Sequence, residues 1–162
     1  MDYIYIGKIV NTHGIKGEIK ILSNIDHKDL IFKKNFKIYI GKNKIEEVIN
    51  SYRHHKVFDM ITLFGIDDIN DVLKYKNQNV YINKNDVKEL VFDEDYIGLD
   101  VYTDKYIGKV VDVLKNVSQD ILVIKNENKK YMIPKVDAFI KQIDFSNKKI
   151  YINEIGGLID EN

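Results

Sequence analysis

Short runs of β-branched and aromatic residues, separated by Gly, Asn, Asp and Lys, are the feature of this chain that most constrains its fold. Such runs are typical of strands, and alternation of apolar and polar residues marks a strand with one buried face. Residues 3–10 lead into the turn sequence N-T-H-G-I-K-G, and 18–22 alternate cleanly, which predicts a β-hairpin. The same pattern predicts further strands at 36–40, 44–52, 56–64, 79–82, 97–103, 106–114, 120–125, 130–133, 139–144 and 149–152.

The spacing of these strands predicts an all-β protein of two small β-barrels joined by a short linker, with one or two short helices. Residues 84–95 are rich in charge and have no sustained period, so we place the linker there, between domains at 1–83 and 96–162. A chain of 162 residues has room for two small domains. One short helix is predicted at 65–73 with Asp68 as its N-cap, and a helical turn after Gly156.

The absence of cysteine excludes disulfides, thiolate metal ligands and cysteine nucleophiles. No apolar run approaches the roughly 18 residues that a membrane span needs. The opening residues, M-D-Y-I-Y-I-G-K-I-V, lack the basic region and the small-residue cleavage site of a signal peptide. We therefore expect a cytoplasmic protein that does not contact membranes.

No group of residues in the sequence predicts catalysis, a metal site or a cofactor. The chain contains no P-loop, no dinucleotide fingerprint and no nucleophile elbow. The acidic run at 67–71 lacks the glycine and the later glutamate of a calcium loop. His54 and His55 are adjacent in the sequence, and adjacent residues on a strand face opposite sides, so they make a poor metal pair. An enzyme is therefore the weaker hypothesis.

The charge of the chain is zero overall but is unevenly distributed. Residues 1–85 hold 14 Lys and Arg against 10 Asp and Glu, and residues 86–162 hold 11 against 15. A basic first half and an acidic second half suit contact with RNA on one side and with a basic protein on the other. A chance split among so many charges explains the asymmetry equally well. The 24 lysines follow the codon skew of an A/T-rich genome, so lysine abundance alone is weak support for RNA binding.

The densest cluster of cations and aromatic residues is 52–56, Y-R-H-H-K, which contains the single arginine of the chain. Arginine offers a planar fork to phosphate and stacks on bases, so Arg53 is a candidate RNA contact. His13 and Lys16 flank a glycine turn, where a rigid hairpin can present them to RNA. The alternatives are a solvated strand edge and glycines kept only for turn geometry. The candidate RNA-binding residues are Lys8, His13, Lys16, Lys20, Arg53, His54 and Lys56.

The run G-K-I-V-N-T-H-G-I-K-G-E-I-K-I resembles the opening signature of the RimM family of bacterial ribosome maturation factors. Further matches follow in the family's order, among them Y-R-H-H-K, F-G-I-D-D-I-N-D-V-L, I-G-L-D-V-Y-T, I-G-K-V-V-D-V-L and G-G-L-I-D. The resemblance implies an N-terminal barrel similar to those of translation factors and a C-terminal PRC-barrel. It also implies a monomeric, non-enzymatic assembly chaperone that binds the head of the immature small ribosomal subunit. Its expected partners are that subunit's rRNA, whose folding and processing it promotes, and small-subunit ribosomal protein nineteen.

One departure from the family pattern concerns the expected protein partner. In the family the linker usually ends in two tyrosines that belong to the partner contact, whereas this chain has E-L-V-F-D-E-D-Y-I-G, with Val91 and Phe92 at those positions. Phe92 keeps an apolar ring that can anchor an interface but lacks the hydroxyl group. The candidate partner-binding residues are Val91, Phe92, Asp93, Glu94 and Tyr96. Two alternatives stay open: a small flavin-binding or reductase-like barrel enzyme, and a PRC-barrel scaffold that binds only proteins.

Overall fold

The computed structural model describes residues 2–153, most of which lie in β-strands or in the turns between them. The chain divides into two compact units, with the boundary between Leu90 and Val91. The predicted all-β class with few short helices is confirmed. No helix among the described residues is long and apolar enough to cross a membrane. The helical turn predicted after Gly156 lies outside the described residues.

The first unit is a closed barrel of six antiparallel strands. Its strands are β1 (Tyr3–His13), β2 (Glu18–Leu22), β3 (Lys37–Ile40), β4 (Ile45–His55), β5 (Phe58–Leu63) and β6 (Asn79–Asn83). They pair in the order β1-β2-β5-β4-β3-β6, and β6 returns to β1. Alternate residues point inward, so the interior is filled mainly by isoleucine, as at Ile19, Ile21 and Ile61. Closure removes the exposed strand edges that an isoleucine-rich sheet would otherwise present.

Short helical segments connect the strands. Helix α1 (Lys28–Ile31) follows β2 and buries Ile31. The predicted helix at 65–73 is instead a pair of 3-10 turns, Ile69–Asp71 and Leu73–Tyr75. The predicted cap is present, because the Asp68 carboxylate accepts a hydrogen bond from the backbone amide of Asn70 at 2.9 Å.

Gly17 fixes the turn between β1 and β2. Its φ is +85°, and a Cβ atom there would lie 3.0 Å from the backbone oxygen of Asp68. Gly14 in the same turn has a φ of +74°, but a Cβ there would meet nothing within 4 Å. Gly17 therefore combines a conformational requirement with a close backbone approach, and Gly14 has only the first.

We expect Gly17→Ala to lower the free energy of unfolding by about 2 kcal/mol, because it adds a clash to the strain of a left-handed backbone. Gly14→Ala serves as the matched control and should lower it by about 1 kcal/mol, from strain alone. Urea denaturation of both variants measures the difference. Equal losses would show that the approach to Asp68 does not constrain the turn.

The second unit is a six-stranded sheet. Its helix is α2 (Asp93–Tyr96), and its strands are β7 (Asp100–Tyr102), β8 (Tyr106–Leu114), β9 (Ile121–Asn126), β10 (Lys129–Pro134), β11 (Ile140–Asp144) and β12 (Lys149–Ile152). They pair in the order β10-β9-β8-β7-β12-β11, and only the described pair β7–β12 is parallel. The core of the unit contains Tyr96, Leu99, Val101, Val110, Leu122, Ile124, Ile133, Ile150 and Ile152. The stretch predicted as the linker contains a 3-10 turn, Lys84–Val87, and the first three residues of α2.

Candidate functional site

The outer side of β1, β2, β5 and β4 gathers most of the cationic residues that the sequence predicts as RNA contacts. Ile19 and Ile21 are fully buried and point into the barrel, so Lys20 between them points outward. Residues that stand opposite each other on neighbouring strands share one side of the sheet. Lys20 stands opposite Met60 of β5, and Met60 stands opposite Arg53 of β4. Arg53 therefore shares the outer side with Lys20.

Strand β1 adds two predicted residues to this side. Positions 18, 20 and 22 of β2 alternate regularly, so their partners on β1 also face outward. These pairs are Lys8 with Leu22, Asn11 with Lys20, and His13 with Glu18. Lys8 and His13 are both exposed. The register thus places Lys8, His13, Lys20 and Arg53 on one surface.

His55 joins this surface, although it is absent from the predicted RNA-binding residues. It follows Arg53 by two positions, stands opposite Phe58 and is exposed. Strand alternation was the signal that could have selected it, since residues i and i+2 face the same side. We call the surface the basic face and define it as Lys8, Asn11, His13, Glu18, Lys20, Arg53, His55 and Phe58; Met60 lies on the same side of the sheet but is buried.

Arg53 forms a bidentate ion pair with Glu18 across the basic face. Its Nε donates to Glu18 Oε2 at 2.8 Å and its Nη2 donates to Oε1 at 2.7 Å. The Arg53 side chain is 49% exposed and that of Glu18 is 17% exposed. The guanidinium is therefore held in one orientation at the surface, with its fork on a carboxylate, a geometry that also fits phosphate.

The environment of Glu18 is strongly cationic. Hydrogen bonds from Arg53 lower the pKa of Glu18, although its partial burial acts in the opposite direction. The positive charges of Arg53, His13 and His55 lower it further. Glu18 is thus a single carboxylate among cations that the fold brings from two other strands, β1 and β4.

We expect the Arg53–Glu18 pair to stabilise the barrel at neutral pH and to lose that effect in acid. A lowered pKa means that stabilisation is complete above the ordinary value of 4.5 and disappears as the pH falls through the lower folded value. Glu18→Gln should lower the free energy of unfolding by about 0.2–1 kcal/mol at pH 7, as for other exposed pairs. Urea denaturation between about pH 7 and pH 3 should show this difference vanish. A difference that is independent of pH would contradict the assignment.

One aromatic ring, that of Phe58, lies among the charged side chains of the basic face. Lys20 Nζ lies 4.8 Å from the centroid of the Phe58 ring, a cation–π contact. Both residues are half-buried. The contact holds the Lys20 ammonium beside an aromatic surface, and the combination of a cation and an aromatic ring is common where proteins hold RNA.

Lys16 and Lys56 lie in turns at opposite ends of these strands. Lys16 belongs to the β1–β2 turn, next to Ile15, which is 82% exposed. The backbone oxygen of Ile15 accepts a hydrogen bond from the amide of Ile69 at 2.9 Å, which anchors the turn. Lys56 is exposed and has a φ of +56° in the β4–β5 turn. Both lysines therefore border the basic face without belonging to it.

The structure separates His54 from the other predicted RNA-binding residues. His54 stands opposite Asp59, which is fully buried on the inner side, and its Nδ1 lies 3.3 Å from Asp59 Oδ1. Asp59 also accepts hydrogen bonds from Lys28 Nζ at 2.8 Å and from the Tyr52 hydroxyl at 2.6 Å. Burial, together with the hydrogen bond to Asp59, raises the pKa of Tyr52 to about 12. We call Lys28, Tyr52, His54 and Asp59 the carboxylate cluster; it is a packing feature of the barrel.

The predicted partner-binding residues are placed unequally. Val91 is 37% exposed and Glu94 is exposed. Phe92 is only 2% exposed, so its ring contributes to packing and does not form a surface anchor. Tyr96 is 8% exposed and belongs to the core of the second unit, where its ring lies 5.5 Å from that of Phe145. Phe92 and Tyr96 are thus buried in this structure, and their contact with a partner stays a prediction.

Asp93 takes part in a charge network within the second unit. One carboxylate oxygen lies 2.7 Å from Lys115 Nζ, and the other lies 3.7 Å from Lys135 Nζ. Both lysines also contact Asp120, at 3.0 and 3.4 Å. The two lysines balance the charge of Asp93, whose side chain is 30% exposed. Val91 and Glu94 are the exposed members of the predicted set.

Comparison with known proteins gives a consistent result over both units. The family model for the RimM N-terminal domain matches residues 4–87, and that for the RimM PRC barrel domain matches residues 93–158. A ribosome maturation factor RimM from Staphylococcus aureus is 38% identical, over 97% of this chain and 99% of the relative. Proteins of the same name from an Exiguobacterium species and from Bacillus pumilus are 38% and 32% identical, each over 99% of this chain and over 99% and 98% of the relatives.

A crystal structure described as a 16S ribosomal RNA processing protein, RimM, from Pseudomonas aeruginosa aligns with 95% of this chain and 98% of its own. Its sequence identity is 18% and its TM-score is 0.45, too low to support any conclusion. The family models and the relatives from Staphylococcus, Exiguobacterium and Bacillus are sufficient by themselves, since they cover both units. The chain belongs to the RimM family of ribosome maturation factors.

Proposed function

We propose that this protein binds the immature small ribosomal subunit and promotes the folding and processing of its rRNA. The observation that carries the proposal is the basic face, on which the barrel register aligns Lys8, His13, Lys20 and Arg53. Family membership supports the same function, because the relatives are named ribosome maturation factors.

The basic face suits the backbone of folded RNA. Lysine and arginine that meet phosphates release condensed counterions, which gives affinity without a sequence requirement. The Arg53 fork already holds a two-oxygen anion, Glu18, at 2.7–2.8 Å. A phosphate offers two oxygens in a similar geometry, so RNA can take the place of Glu18 on Arg53 without moving the arginine.

We propose that the second contact is with the subunit head and with small-subunit ribosomal protein nineteen. Val91 and Glu94 offer an exposed apolar and an exposed acidic side chain at the start of the second unit. The acidic excess of residues 86–162, 15 acidic against 11 basic residues, suits a basic ribosomal protein. Contacts to RNA and to protein at once would let one small monomer favour a particular arrangement of the head.

The mechanism in this proposal is binding without catalysis. A protein that binds one arrangement of the subunit better than the others shifts the population toward it by the difference in binding free energy. Release follows when maturation removes or covers the binding site. Activity therefore depends on a preference for the immature particle over the mature one.

Co-sedimentation of the full chain with immature and mature small subunits, at low and high salt, tests the proposal. We expect binding to the immature particle, weaker binding to the mature one, loss of binding with salt, and a separate complex with purified ribosomal protein nineteen. Equal binding to both particles, or to neither, would overturn the proposal. A flavin absorbance band would favour the barrel enzyme, and binding to proteins alone would favour the scaffold.

A further inference from the structure

Three tyrosines form a row across the outer side of the second unit's sheet. Tyr151 of β12 stands opposite Tyr102 of β7, which stands opposite Tyr106 of β8. The ring centroid of Tyr102 lies 5.8 Å from that of Tyr151 and 5.5 Å from that of Tyr106. Tyr106 is 46% exposed and the other two are half-buried. The rings therefore form a continuous aromatic surface that is open to solvent.

A row of charged residues runs beside the tyrosines, on the same side of the sheet. The adjacent core positions Val101 and Ile150 are fully buried and point the other way. Successive residues in the row stand opposite each other from β12 to β10: Lys149, Asp100, Lys109, Lys125 and Lys130. Asp144 of β11 stands opposite Lys149 and ends the row. The register thus places four lysines in one line, although residues 86–162 carry an acidic excess.

The charges in this row are only partly compensated. Lys109 Nζ lies 2.7 Å from Asp100 Oδ1, and both carboxylate oxygens of Asp144 accept hydrogen bonds from Asn147. Lys125 and Lys130 form no ion pair with a carboxylate in the described part of the chain. The β9–β10 end of the row is therefore a cationic surface next to the aromatic one.

Two pockets of about 370 Å³ flank the tyrosine row. Tyr151 lines the first, together with the polar side chains of Gln142 and Asn153. Tyr106 lines the second, together with Asn126 and the ring of Tyr131. The amide groups in both pockets offer hydrogen-bond donors and acceptors; the acidic residues Asp104 and Glu127 also line the pockets, and Tyr131 packs against the core of the unit.

We propose that this tyrosine–lysine stripe, formed by Tyr102, Tyr106, Tyr151, Lys109, Lys125, Lys130 and Lys149, binds single-stranded RNA. Bases stack on the tyrosines, phosphates meet the lysines, and the flanking amides contact base edges. Sheet faces with exposed aromatic rings hold two or three bases in this way, and stacking tolerates any base. An acidic protein would also meet these lysines and rings, but a line of cations beside a parallel row of rings matches the phosphates and bases of a single strand. The inference rests on the proposed function and extends its RNA contact to the second unit.

A tryptophan at position 106 tests the stacking directly, since the chain contains no tryptophan of its own. Tyr106→Trp gives one fluorophore in the stripe, and an oligouridylate of about 12 nucleotides should quench it by stacking. The matched control is Val117→Trp, at a fully exposed position of the same unit, whose emission should not change. Equal responses at the two positions would overturn the stacking assignment.

Charge and ring variants of the full chain test the affinity, measured with the same RNA by fluorescence anisotropy. Lys125→Gln with Lys130→Gln should lower the slope of log K against log salt by about 1.4, the value for two phosphate contacts on a single strand. Tyr106→Leu should weaken binding about fivefold or more. Lys42→Gln with Lys76→Gln makes the same change in net charge on exposed residues of the first unit and should leave the slope unchanged.

Co-sedimentation with immature subunits separates failure of this inference from failure of the proposed function. Unchanged RNA affinity in the stripe variants, with the parent protein still selecting immature subunits, overturns the stripe alone. If the protein binds RNA through the stripe but does not co-sediment with immature subunits, the proposed function alone is overturned. Stripe variants that keep RNA affinity but lose subunit binding would assign the stripe to an acidic protein surface instead.

Discussion

We expect Asp59→Asn to lower the free energy of unfolding of the first unit by about 3 kcal/mol. Asp59 is fully buried and accepts hydrogen bonds from Lys28 at 2.8 Å and Tyr52 at 2.6 Å. Asparagine has the same shape, so the loss does not come from a cavity. It comes from leaving the Lys28 ammonium, whose side chain is only 31% exposed, without its counter-charge.

The same change should lower the melting temperature of the first unit by roughly 10 to 20 °C, a shift that calorimetry resolves easily. Two controls accompany it. Asp67→Asn, at an exposed position, should have no effect beyond about 0.5 kcal/mol. His54→Ala removes the most distant partner of Asp59. Because the His54 side chain is 55% exposed, this change should lower the free energy of unfolding by less than about 1 kcal/mol. If Asp59→Asn were no worse than His54→Ala, the carboxylate cluster would not be holding this part of the barrel together.

The strands could be predicted because each is marked by the pattern of apolar and polar residues within its own segment. Alternation marks 18–22 and 106–114 directly, and the structure has strands with those same bounds. The β4–β5 hairpin shows where this approach stops. The predicted strand ends at residue 52, but β4 continues to His55. The turn that allows this places Lys56 at a positive φ, and Lys-Val carries none of the Asn-Gly signal of such turns.

The composition of the basic face could not be predicted from alternation, because β1 is irregular. Lys8 and His13 are five positions apart, so a regular strand would place them on opposite sides. The pairing with β2 shifts by one residue between Ile9 and Asn11, and this bulge brings both to the outer side. A bulge depends on pairing between strands, and no single strand contains that information.

Tertiary packing also decides the burial of the partner segment and the form of the predicted helix. The family resemblance places Phe92 and Tyr96 in the expected partner contact, and tertiary packing buries both. In the predicted helix, Val72 is fully buried whereas Leu73 is 50% exposed. One short apolar face does not offset the free energy of nucleating an α-helix, so the segment stays in 3-10 turns.

We expect replacement of both Lys20 and Arg53 by glutamine to weaken association with immature small subunits about tenfold at 0.15 M salt. The slope of log K against log salt should fall by about 1.5, between the values for two contacts on single-stranded and on duplex nucleic acid. Both residues lie in one row of the basic face, opposite Met60, so a single RNA backbone can meet them together. Co-sedimentation at several salt concentrations gives the affinity and the slope.

Two further variants test whether the basic face is responsible for the association with immature small subunits. Lys42→Gln with Lys76→Gln removes the same net charge from exposed positions outside the face and should leave the slope unchanged. Glu18→Gln should act in the opposite direction and strengthen association, because it removes the carboxylate that occupies the Arg53 fork at 2.7–2.8 Å. An unchanged slope in the Lys20→Gln, Arg53→Gln variant, together with weaker binding by Glu18→Gln, would show that the Arg53–Glu18 pair is purely structural. RNA would then have to be held by the turns at Lys16 and Lys56, or by the second unit.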